Sequence, residues 1–294
     1  MTFATEPAAD PRSAVGASIA VRPLTPTFGA ELSGIDLASG LSPAARAEIF
    51  ALWRRHLVIV IRDQRLSPAE LLDFARGFGA LDPAPPFDNQ RSALEGYPEI
   101  AVVSNVEEKG APIGGLGAGE LAWHSDMTYR PEPPGGCVLL AKEIPPAGGN
   151  THFLNMTACL GALPAGLRAR IEGLRLIHDS RYTSAGTERV SGDSFATVDH
   201  PLVIADPLSG RDCLFLGRRR QSAVVGLGEA EGHELLEALW QPASDDRFVL
   251  THEWRPGDVL LWANVAVMHR RDAFLSTDRR LLHRAQIARF EAAA

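Results

Sequence analysis

The sequence predicts a mainly β fold with flanking helices, most simply a β-sandwich or jelly roll. From about residue 100 onwards, short apolar segments alternate with clusters of turn residues, as strands joined by tight turns do. Glycine (27) and proline (21) are abundant among the 294 residues, which favours a turn-rich fold over a helical bundle. Only a few segments carry the three- and four-residue apolar spacing of helices.

The first hundred residues predict a small α/β portion. Residues 17–36 contain short strand-like stretches, and the apolar run LVIVI at residues 57–61 predicts a buried strand. The Ser-Pro pair at residues 42–43 begins a helix that extends to about residue 55. The sequence Ser-Pro-Ala-Glu at residues 67–70 is a capping box, which opens a second helix ending near residue 79.

The rest of the chain predicts strands interrupted by two helices, at residues 163–174 and 228–241. The strand-like segments are EIAVVSN, WHSDMTY, CVLLAKEI, THFLNM, HPLVIAD, CLFLG, RFVLTHEW, DVLLWANVAVMH and RLLHRAQIARF. No repeat or low-complexity linker divides them. We therefore expect one domain over residues 17–294, preceded by a disordered tail at residues 1–16.

Charge and cysteine content restrict the class of protein. The formal net charge of −7 argues against a nucleic-acid or anionic-membrane partner, and no apolar run approaches the roughly 20 residues that span a bilayer. The three cysteines are far apart in the chain, so a disulfide framework or a zinc ribbon is not expected. Because the first residues lack the basic and apolar segments of a secretory signal, we expect a cytoplasmic protein.

A possible metal site begins in the Trp-His-Ser-Asp segment at residues 123–126. Side chains two residues apart on a strand share a face, so His124 and Asp126 would direct an imidazole and a carboxylate at one point. A hydrogen-bonded pair at a strand edge would explain the same residues. If His269 joined them across a barrel, the set would match the two histidines and one carboxylate of non-heme Fe(II) oxygenases. Zinc would also accept these ligands.

Two arginines near the C-terminus predict an anion site. Arg280 and Arg284 share one face of a strand-like segment with Leu282. Guanidinium groups on an inward face are costly without anions, and a dicarboxylate would supply them. An exposed, solvated strand face is the alternative explanation, and periodicity does not decide between the two.

With these residues the sequence resembles the taurine dioxygenase/dichlorophenoxyacetate dioxygenase family of Fe(II)- and 2-oxoglutarate-dependent oxygenases. The resemblance extends from about residue 20 to residue 290, in five ordered blocks: WHSDMTYRPEPP, IPPAGGNTHF, HPLVIADPLSGRDCLFLG, LLWANVAVMHRRDAF and RRLLHRAQI. It implies a double-stranded β-helix, or jelly roll, with helices packed outside. It also implies an enzyme that uses Fe(II), 2-oxoglutarate and O2 to hydroxylate a small organic anion, giving succinate and CO2.

The resemblance assigns catalytic and co-substrate roles to five residues. His124, Asp126 and His269 correspond to the iron ligands of the family. Thr151 resembles the residue whose hydroxyl contacts 2-oxoglutarate, and Arg280 resembles the arginine that grips its distal carboxylate. These roles are what the resemblance implies, one residue at a time.

The resemblance also indicates the substrate class. Arg284 is similar to a second arginine placed near 2-oxoglutarate and the acidic group of the substrate, which favours a sulfonate, an aryloxyalkanoate, a carboxylate or a sulfate ester. Asn105 and Tyr129 are further candidates for the substrate pocket, which the backbone of residues 126–128 would border. Hydroxylation of a carbon that bears such a group would let the product collapse and expel it. Homo-oligomers are common in the family, so we expect one here.

Three features depart from the family or are ambiguous. Ala263 lies in Trp-Ala-Asn where many members have Trp-Asp-Asn, so we expect weaker support of the metal site. No histidine follows Phe78-Gly79, where taurine enzymes use one to hold the sulfonate. The glycine-rich residues 114–120 could be a mobile lid or an ordinary loop.

Two other functions are compatible with the same fold. A zinc- or manganese-dependent hydrolase could use the three metal ligands, but it would give Thr151 and Arg280 no role. A non-catalytic binding protein is the second alternative, against which the intact ligand set argues.

Overall fold

The computed structural model describes residues 19–291, apart from residues 86, 88–92, 182, 186–187, 189–195 and 218–221. The tail predicted to be disordered, residues 1–16, lies outside the described residues. The described part is mainly β with flanking helices, which confirms the predicted class. Within it, no helix is both long enough and apolar enough to cross a membrane.

The regular elements are numbered in chain order. The strands are β1 (Ala20–Pro23), β2 (Ala30–Ser33), β3 (Val58–Ile61), β4 (Gly79–Leu81), β5 (Ala93–Leu94), β6 (Tyr97–Ser104), β7 (Glu107–Glu108), β8 (Ala111–Pro112), β9 (Gly115–Leu116), β10 (Leu121–His124), β11 (Gly136–Glu143), β12 (Thr151–Asn155), β13 (Arg175–Asp179), β14 (Thr197–Pro201), β15 (Val203–Ala205), β16 (Asp212–Leu214), β17 (Ala223–Val224), β18 (Val249–His252), β19 (Val259–Ala263), β20 (Val267–Arg271) and β21 (Leu281–Phe290). The α-helices are α1 (Pro43–His56), α2 (Pro68–Arg76), α3 (Met156–Ala162), α4 (Ala165–Arg170) and α5 (Glu229–Trp240). Two short 3-10 helices, Gln241–Ser244 and Asp246–Phe248, follow α5.

Two sheets form the body of the protein. The larger has ten strands, with β1-β2-β3-β19-β11-β21-β6-β5 in order, β4 beside β21 and β9 beside β6. The smaller has the order β10-β20-β12-β18. Phe153 of the small sheet packs against Trp262 of the large sheet with 5.8 Å between ring centres. Helix α1 covers the large sheet, where Trp53 meets Phe290 of β21 edge to face at 5.2 Å.

Local chemistry explains where the first two helices begin. The Ser42 hydroxyl accepts the Ala45 N–H at the start of α1. In α2 the predicted capping box is complete, because Ser67 Oγ accepts the Glu70 N–H while the Glu70 carboxylate accepts the Ser67 N–H. Both starts were predictable because they depend on residues three positions apart.

The helix predicted over residues 163–174 is wrong in its bounds. The structure has α3 before it and only the six-residue α4 within it. The Asn155 side chain accepts the Ala158 N–H, so a helix begins directly after β12. Pro164 then ends it, because Leu163 adopts an extended ψ of 137°, as the residue before a proline commonly does.

The apolar run at residues 258–269 is also not one continuous strand. It forms β19 in the large sheet and β20 in the small sheet, joined by a turn at residues 264–266. The chain therefore changes sheets between Trp262 and His269, and this turn brings Asn264 into the interior at 0% exposure.

His178 is a buried histidine outside these two sheets. It lies in β13 at 2% exposure, stacked on Phe215 with ring centres 5.1 Å apart, and neither ring nitrogen has a hydrogen-bond partner among the described residues. Burial lowers the pKa of His178 from 6.5 to about 3. Between these pH values the unfolded chain binds a proton that the folded protein does not bind. We expect the free energy of unfolding to fall by about 1.4 kcal/mol per pH unit from this residue alone as the pH drops below 6.5.

Urea unfolding at several pH values measures this effect. His178→Phe keeps an aromatic ring against Phe215 and removes the titrating group. On the acid limb of the stability curve, the free energy of unfolding of this variant should therefore fall less steeply with pH, by the contribution of one bound proton. His233, exposed on α5, provides the control, since His233→Gln should leave the limb unchanged. An acid limb in His178→Phe as steep as that of the wild type would contradict the assignment.

Candidate active site

Three side chains predicted as metal ligands lie together in the interior. The ligand atoms of His124, Asp126 and His269 are all within 4.8 Å of one another, and each residue is at most 9% exposed. His124 Nε2 is 3.7 Å from Asp126 Oδ1, and the two imidazole ring centres are 4.2 Å apart. Two imidazoles and a carboxylate are a donor set that fits Fe(II) with positions open for other ligands.

The small sheet positions the two histidines. His124 ends β10 and lies directly opposite His269 of β20, and residues opposite each other on antiparallel strands point to the same face. The Ala122 carbonyl oxygen accepts a hydrogen bond from His124 Nδ1 at 2.7 Å. Since a carbonyl can only accept, Nδ1 carries the proton, and Nε2 is the nitrogen available to a metal.

Asp126 reaches this point from a turn and not from the strand predicted for it. Strand β10 ends at His124, and residues 126–129 form a turn in which Met127 has a φ of +54°. The amide of Asn264 holds this turn. Its Oδ1 accepts the Asp126 N–H at 2.8 Å, and its Nδ2 donates to the carbonyl oxygens of Asp126 and Pro134 at 3.0 and 2.9 Å. This buried clamp, and not the alternation of a strand, brings Asp126 beside His124.

Oδ2 of Asp126, the carboxylate oxygen that does not face His124, is contacted by three donors from the large sheet. Arg284 Nη1 and Gln286 Nε2 donate to Oδ2 at 2.8 and 3.1 Å, and Cys137 Sγ lies 3.6 Å from the same atom. Burial, followed by the charge of Asp126, raises the pKa of Cys137 well above its usual value, so the thiol remains a donor. These contacts fix which carboxylate oxygen faces His124 and add positive charge beside it.

Gln286 and Cys137 were not predicted, although the sequence carries a signal for Gln286. Gln286 lies two residues after Arg284 and therefore on the same strand face, and Cys137 of β11 lies opposite Gln286 of β21. Arg284, predicted near 2-oxoglutarate and the substrate, forms its ion pair with Asp126. Its buried Nε has no hydrogen-bond partner among the described residues.

Arg280 is buried beside Trp254, Phe274 and Gly149, and this group of residues is called the Arg280 pocket. The arginine is 2% exposed, no described residue forms an ion pair with it, and its Nε has no hydrogen-bond partner among the described residues. The centres of the Trp254 and Phe274 rings lie 6.0 and 5.9 Å from its Cζ. Burial, and then the charge of Arg271, lowers the pKa of Arg280 to about 9. A buried guanidinium without a partner is stabilised by an anion, so a carboxylate fits this pocket.

Thr151 contacts Trp254, and Gly149 lies beside Arg280. Thr151 Oγ1 accepts the indole N–H of Trp254 at 2.9 Å, which leaves the hydroxyl proton available to an oxygen acceptor. Gly149 has a φ of +66°, and a Cβ there would lie 3.2 Å from Arg280 Nε. The glycine therefore provides the space that the arginine side chain occupies.

Asn105 supports the segment that carries Arg280. Its Oδ1 accepts the Arg280 N–H at 2.9 Å, and its Nδ2 donates to the carbonyl oxygens of Ser276 and Asp278 at 3.2 and 2.8 Å. These contacts give Asn105 a positioning role for Arg280, and the substrate contact predicted for it stays a prediction. Tyr129, the other candidate for the substrate pocket, is partly exposed in the turn that begins at Asp126.

The two positions that depart from the expected pattern are both structurally accommodated. Ala263 is fully buried at the end of β19, and the clamp on Asp126 comes from the neighbouring Asn264, so it does not require a carboxylate at residue 263. Asp82, in the segment after Phe78-Gly79, pairs with Arg130 at 2.9 Å. The segment that lacks a histidine therefore contributes an acidic residue, Asp82, near this position.

We expect loss of the Asn264 amide to weaken metal binding. Asn264→Ala leaves the buried backbone groups of Asp126 and Pro134 without their partners, so the carboxylate loses its fixed orientation. Loss of such a supporting contact typically lowers metal affinity by about 10- to 100-fold. Anaerobic competition with a chelator measures the Fe(II) affinity. Asn105→Ala is the matched control, because it removes the same group from a different loop and should leave Fe(II) affinity unchanged.

Comparison with known proteins gives one consistent family. The family described as "Taurine catabolism dioxygenase TauD, TfdA family" matches residues 20–286. The chain is 36% identical over 280 residues to the alpha-ketoglutarate-dependent 2,4-dichlorophenoxyacetate dioxygenase of Cupriavidus pinatubonensis, which covers 91% of this chain and 97% of that protein. Alpha-ketoglutarate is the same compound as 2-oxoglutarate.

Solved structures agree with this family. A taurine dioxygenase from Burkholderia xenovorans superposes with a TM-score of 0.76 at 30% identity, covering 92% of this chain and 89% of that one. The structure of AAD-2 in complex with Mn(II) and N-oxalylglycine also has a TM-score of 0.76, at 28% identity, and the match covers 95% of this chain and 100% of that one.

Proposed function

Because the chain belongs to the TauD/TfdA family of 2-oxoglutarate-dependent dioxygenases, we propose that it hydroxylates a small aryloxyalkanoic acid or a related organic anion. The relatives act on aryloxyalkanoates, sulfonates and sulfate esters. The same relationship supports a jelly-roll arrangement for the two large sheets. His124, Asp126 and His269 are the proposed iron ligands, and Arg280 and Thr151 are the proposed anchors of the co-substrate.

One observation carries this proposal: a buried His-Asp-His cluster occurs in the same interior as a buried guanidinium that has no acidic partner among the described residues. A hydrolase would need the first feature alone. Fe(II), 2-oxoglutarate and O2 together supply the oxidation, in which 2-oxoglutarate is converted to succinate and CO2 while a substrate C–H bond becomes C–OH.

The residues of this chain bind and orient the reactants. Arg280 holds the distal carboxylate through a charge-assisted pair, and the Thr151 hydroxyl donates to the same group. The rings of Trp254 and Phe274 keep water away from that pair, which strengthens it. Arg284 holds Asp126 and places positive charge beside the metal centre, where the acidic group of the substrate would be attracted.

Two observations favour an aryloxyalkanoate over taurine. The 36%-identical relative acts on 2,4-dichlorophenoxyacetate, and the segment after Phe78-Gly79 offers the Asp82–Arg130 ion pair in place of a histidine. Hydroxylation of the carbon between the ether oxygen and the carboxylate gives a hemiacetal. This product breaks the bond between the hydroxylated carbon and the ether oxygen, and the hydroxyl proton passes to the departing phenolate, so that a phenol and glyoxylate are formed.

A substrate panel tests the proposal. The Fe(II)-loaded protein is incubated with 2-oxoglutarate in air and with 2,4-dichlorophenoxyacetate, phenoxypropionate, taurine or an alkyl sulfate, and succinate is measured together with phenol, sulfite or sulfate. We expect phenol and succinate in equal amounts from an aryloxyalkanoate. Turnover of taurine alone would overturn the substrate class, and the absence of succinate with every compound would overturn the proposed function for these anions.

A further inference from the structure

Arg271 is a second buried arginine, after Arg280, that has no acidic partner among the described residues, and it has no role so far. Arg271 ends β20 two residues after His269, so both side chains point to the same face of the strand. It lies directly opposite Thr151 of β12, which brings the bases of these two side chains to within about 5 Å of each other. The residue is 4% exposed, and among the described residues its Nε has no hydrogen-bond partner and no acidic side chain forms an ion pair with it.

Arg271 and Arg280 flank the same aromatic ring. Their Cζ atoms lie 5.3 and 5.9 Å from the centre of the Phe274 ring, and the charge of Arg271 acts on Arg280. Two buried cations that repel each other, with no acid paired to either among the described residues, are unfavourable unless an anion joins them. The Thr151 hydroxyl, which contacts Trp254 and belongs to the residue opposite Arg271, is a third donor for such an anion.

Arg271 also holds the glycine-rich segment at residues 114–120. Its Nη2 donates to the carbonyl oxygen of Leu116 at 3.0 Å and to that of Gly119, and the Phe274 N–H donates to the carbonyl oxygen of Ala118 at 3.1 Å. Residues 114–120, which were expected to form either a lid or an ordinary loop, are therefore attached to residues 271–274 by these hydrogen bonds. The same short stretch of chain contacts the loop on one side and the Arg280 pocket on the other.

We propose that Arg271 is a second binding residue for the distal carboxylate of 2-oxoglutarate and that it couples co-substrate binding to closure of residues 114–120. The inference depends on the proposed co-substrate pocket and adds a residue to it. A bound carboxylate offsets the repulsion between the two guanidinium groups, so Arg271 can keep its hydrogen bonds to the loop. Without the carboxylate this repulsion weakens the hold of Arg271 on residues 117–120, whereas residues 115–116 stay paired with β6 as strand β9.

Binding of N-oxalylglycine to the Mn(II)-loaded protein, measured by calorimetry, tests the carboxylate contact. N-oxalylglycine has the two carboxylates of 2-oxoglutarate, whereas oxamate has only the end that would chelate the metal. Arg271→Gln should weaken N-oxalylglycine binding by about 10-fold or more, the usual effect of losing a charged hydrogen bond, and leave oxamate binding unchanged. Arg271→Lys, which keeps the charge but not the planar fork, should fall between Arg271→Gln and the wild type.

Hydrogen exchange tests the coupling. N-oxalylglycine should slow exchange of the backbone amides of residues 114–120 in the wild type, and this protection should be absent in Arg271→Gln. Arg279→Gln is the matched control, because Arg279 is exposed and pairs with Glu143, so its loss should change neither binding nor exchange. Thermal melting establishes that each variant is folded, and Arg271→Lys carries the test if Arg271→Gln does not fold.

The outcomes separate the inference from the proposed function. Wild-type protein that binds N-oxalylglycine, with an unchanged affinity and loop protection in Arg271→Gln, overturns the role of Arg271 alone. Equal losses for N-oxalylglycine and oxamate also overturn it, since they would indicate general disruption of the site. Wild-type protein that fails to bind N-oxalylglycine would overturn the proposed co-substrate pocket itself.

Discussion

Replacing His124 by alanine is expected to abolish stoichiometric Fe(II) binding and, with it, 2-oxoglutarate turnover. The variant removes Nε2, one of three ligand atoms gathered within 4.8 Å. Loss of a supporting contact alone typically costs about 10- to 100-fold in metal affinity, so loss of a ligand should exceed about 100-fold. The anaerobic complex with Fe(II) and 2-oxoglutarate should also lose its weak visible charge-transfer absorption.

The control must separate this site from adventitious metal binding by other histidines. His233 is exposed on α5, so His233→Ala should retain the charge-transfer band, the Fe(II) stoichiometry and the activity. A His124→Ala protein that keeps the band would show that the metal is bound elsewhere. Lower pH should weaken Fe(II) binding to the wild type as well, because both imidazoles must be deprotonated at the ligating nitrogen.

The candidate metal and carboxylate residues could be selected from the sequence because their chemistry is carried by short, ordered blocks. His124 and Asp126 are two residues apart, and Arg280 follows His269 by eleven, so a family pattern records them without any knowledge of the fold. The starts of α1 and α2 were equally accessible, since a Ser-Pro pair and a capping box act within one turn of helix.

The supporting residues could not be found in this way, because their roles depend on contacts between distant segments. Asn264 holds the Asp126 turn across 138 positions of the chain, and it reaches that turn only because the chain changes sheets after β19. Arg284, predicted to lie near a bound anion, pairs with Asp126, a contact that the sequence did not indicate. Asn105, predicted to contact the substrate, fastens the segment before β21.

Arg271 is another residue whose role could not be predicted from the sequence. Its neighbour Arg270 is a similar residue in the sequence, but it pairs with Asp272 and stacks on Trp123, whereas Arg271 is buried without an acidic partner among the described residues. The alternation of β20 assigns the two arginines to opposite faces. Which of these faces is the interior depends on the register of β20 with β10 and β12.

The second large effect is expected at Arg280. Arg280→Gln should raise the concentration of 2-oxoglutarate needed for half-maximal turnover by about 100-fold or more, since it removes charged hydrogen bonds that are each worth about 1.5–3 kcal/mol. Fe(II) binding without the co-substrate should be unchanged, because Arg280 makes no contact with the metal ligands in the described structure. Steady-state kinetics in 2-oxoglutarate, together with Fe(II) titration, measures both quantities.

Two further variants decide whether the loss is due to the guanidinium itself. Arg279→Gln removes an adjacent arginine whose partner is Glu143 at the surface, and it should leave the 2-oxoglutarate requirement unchanged. Gly149→Ala keeps Arg280 but inserts a Cβ at 3.2 Å from its Nε, at a backbone φ of +66°, so the requirement should rise by less than in Arg280→Gln.

An unchanged requirement in Arg280→Gln would move the carboxylate anchor to another residue, and Arg271, opposite Thr151 in the same interior, would then be the first to examine. If both arginines bind the carboxylate, the double variant should lose less than the sum of the two single losses, because residues that share one ligand are energetically coupled.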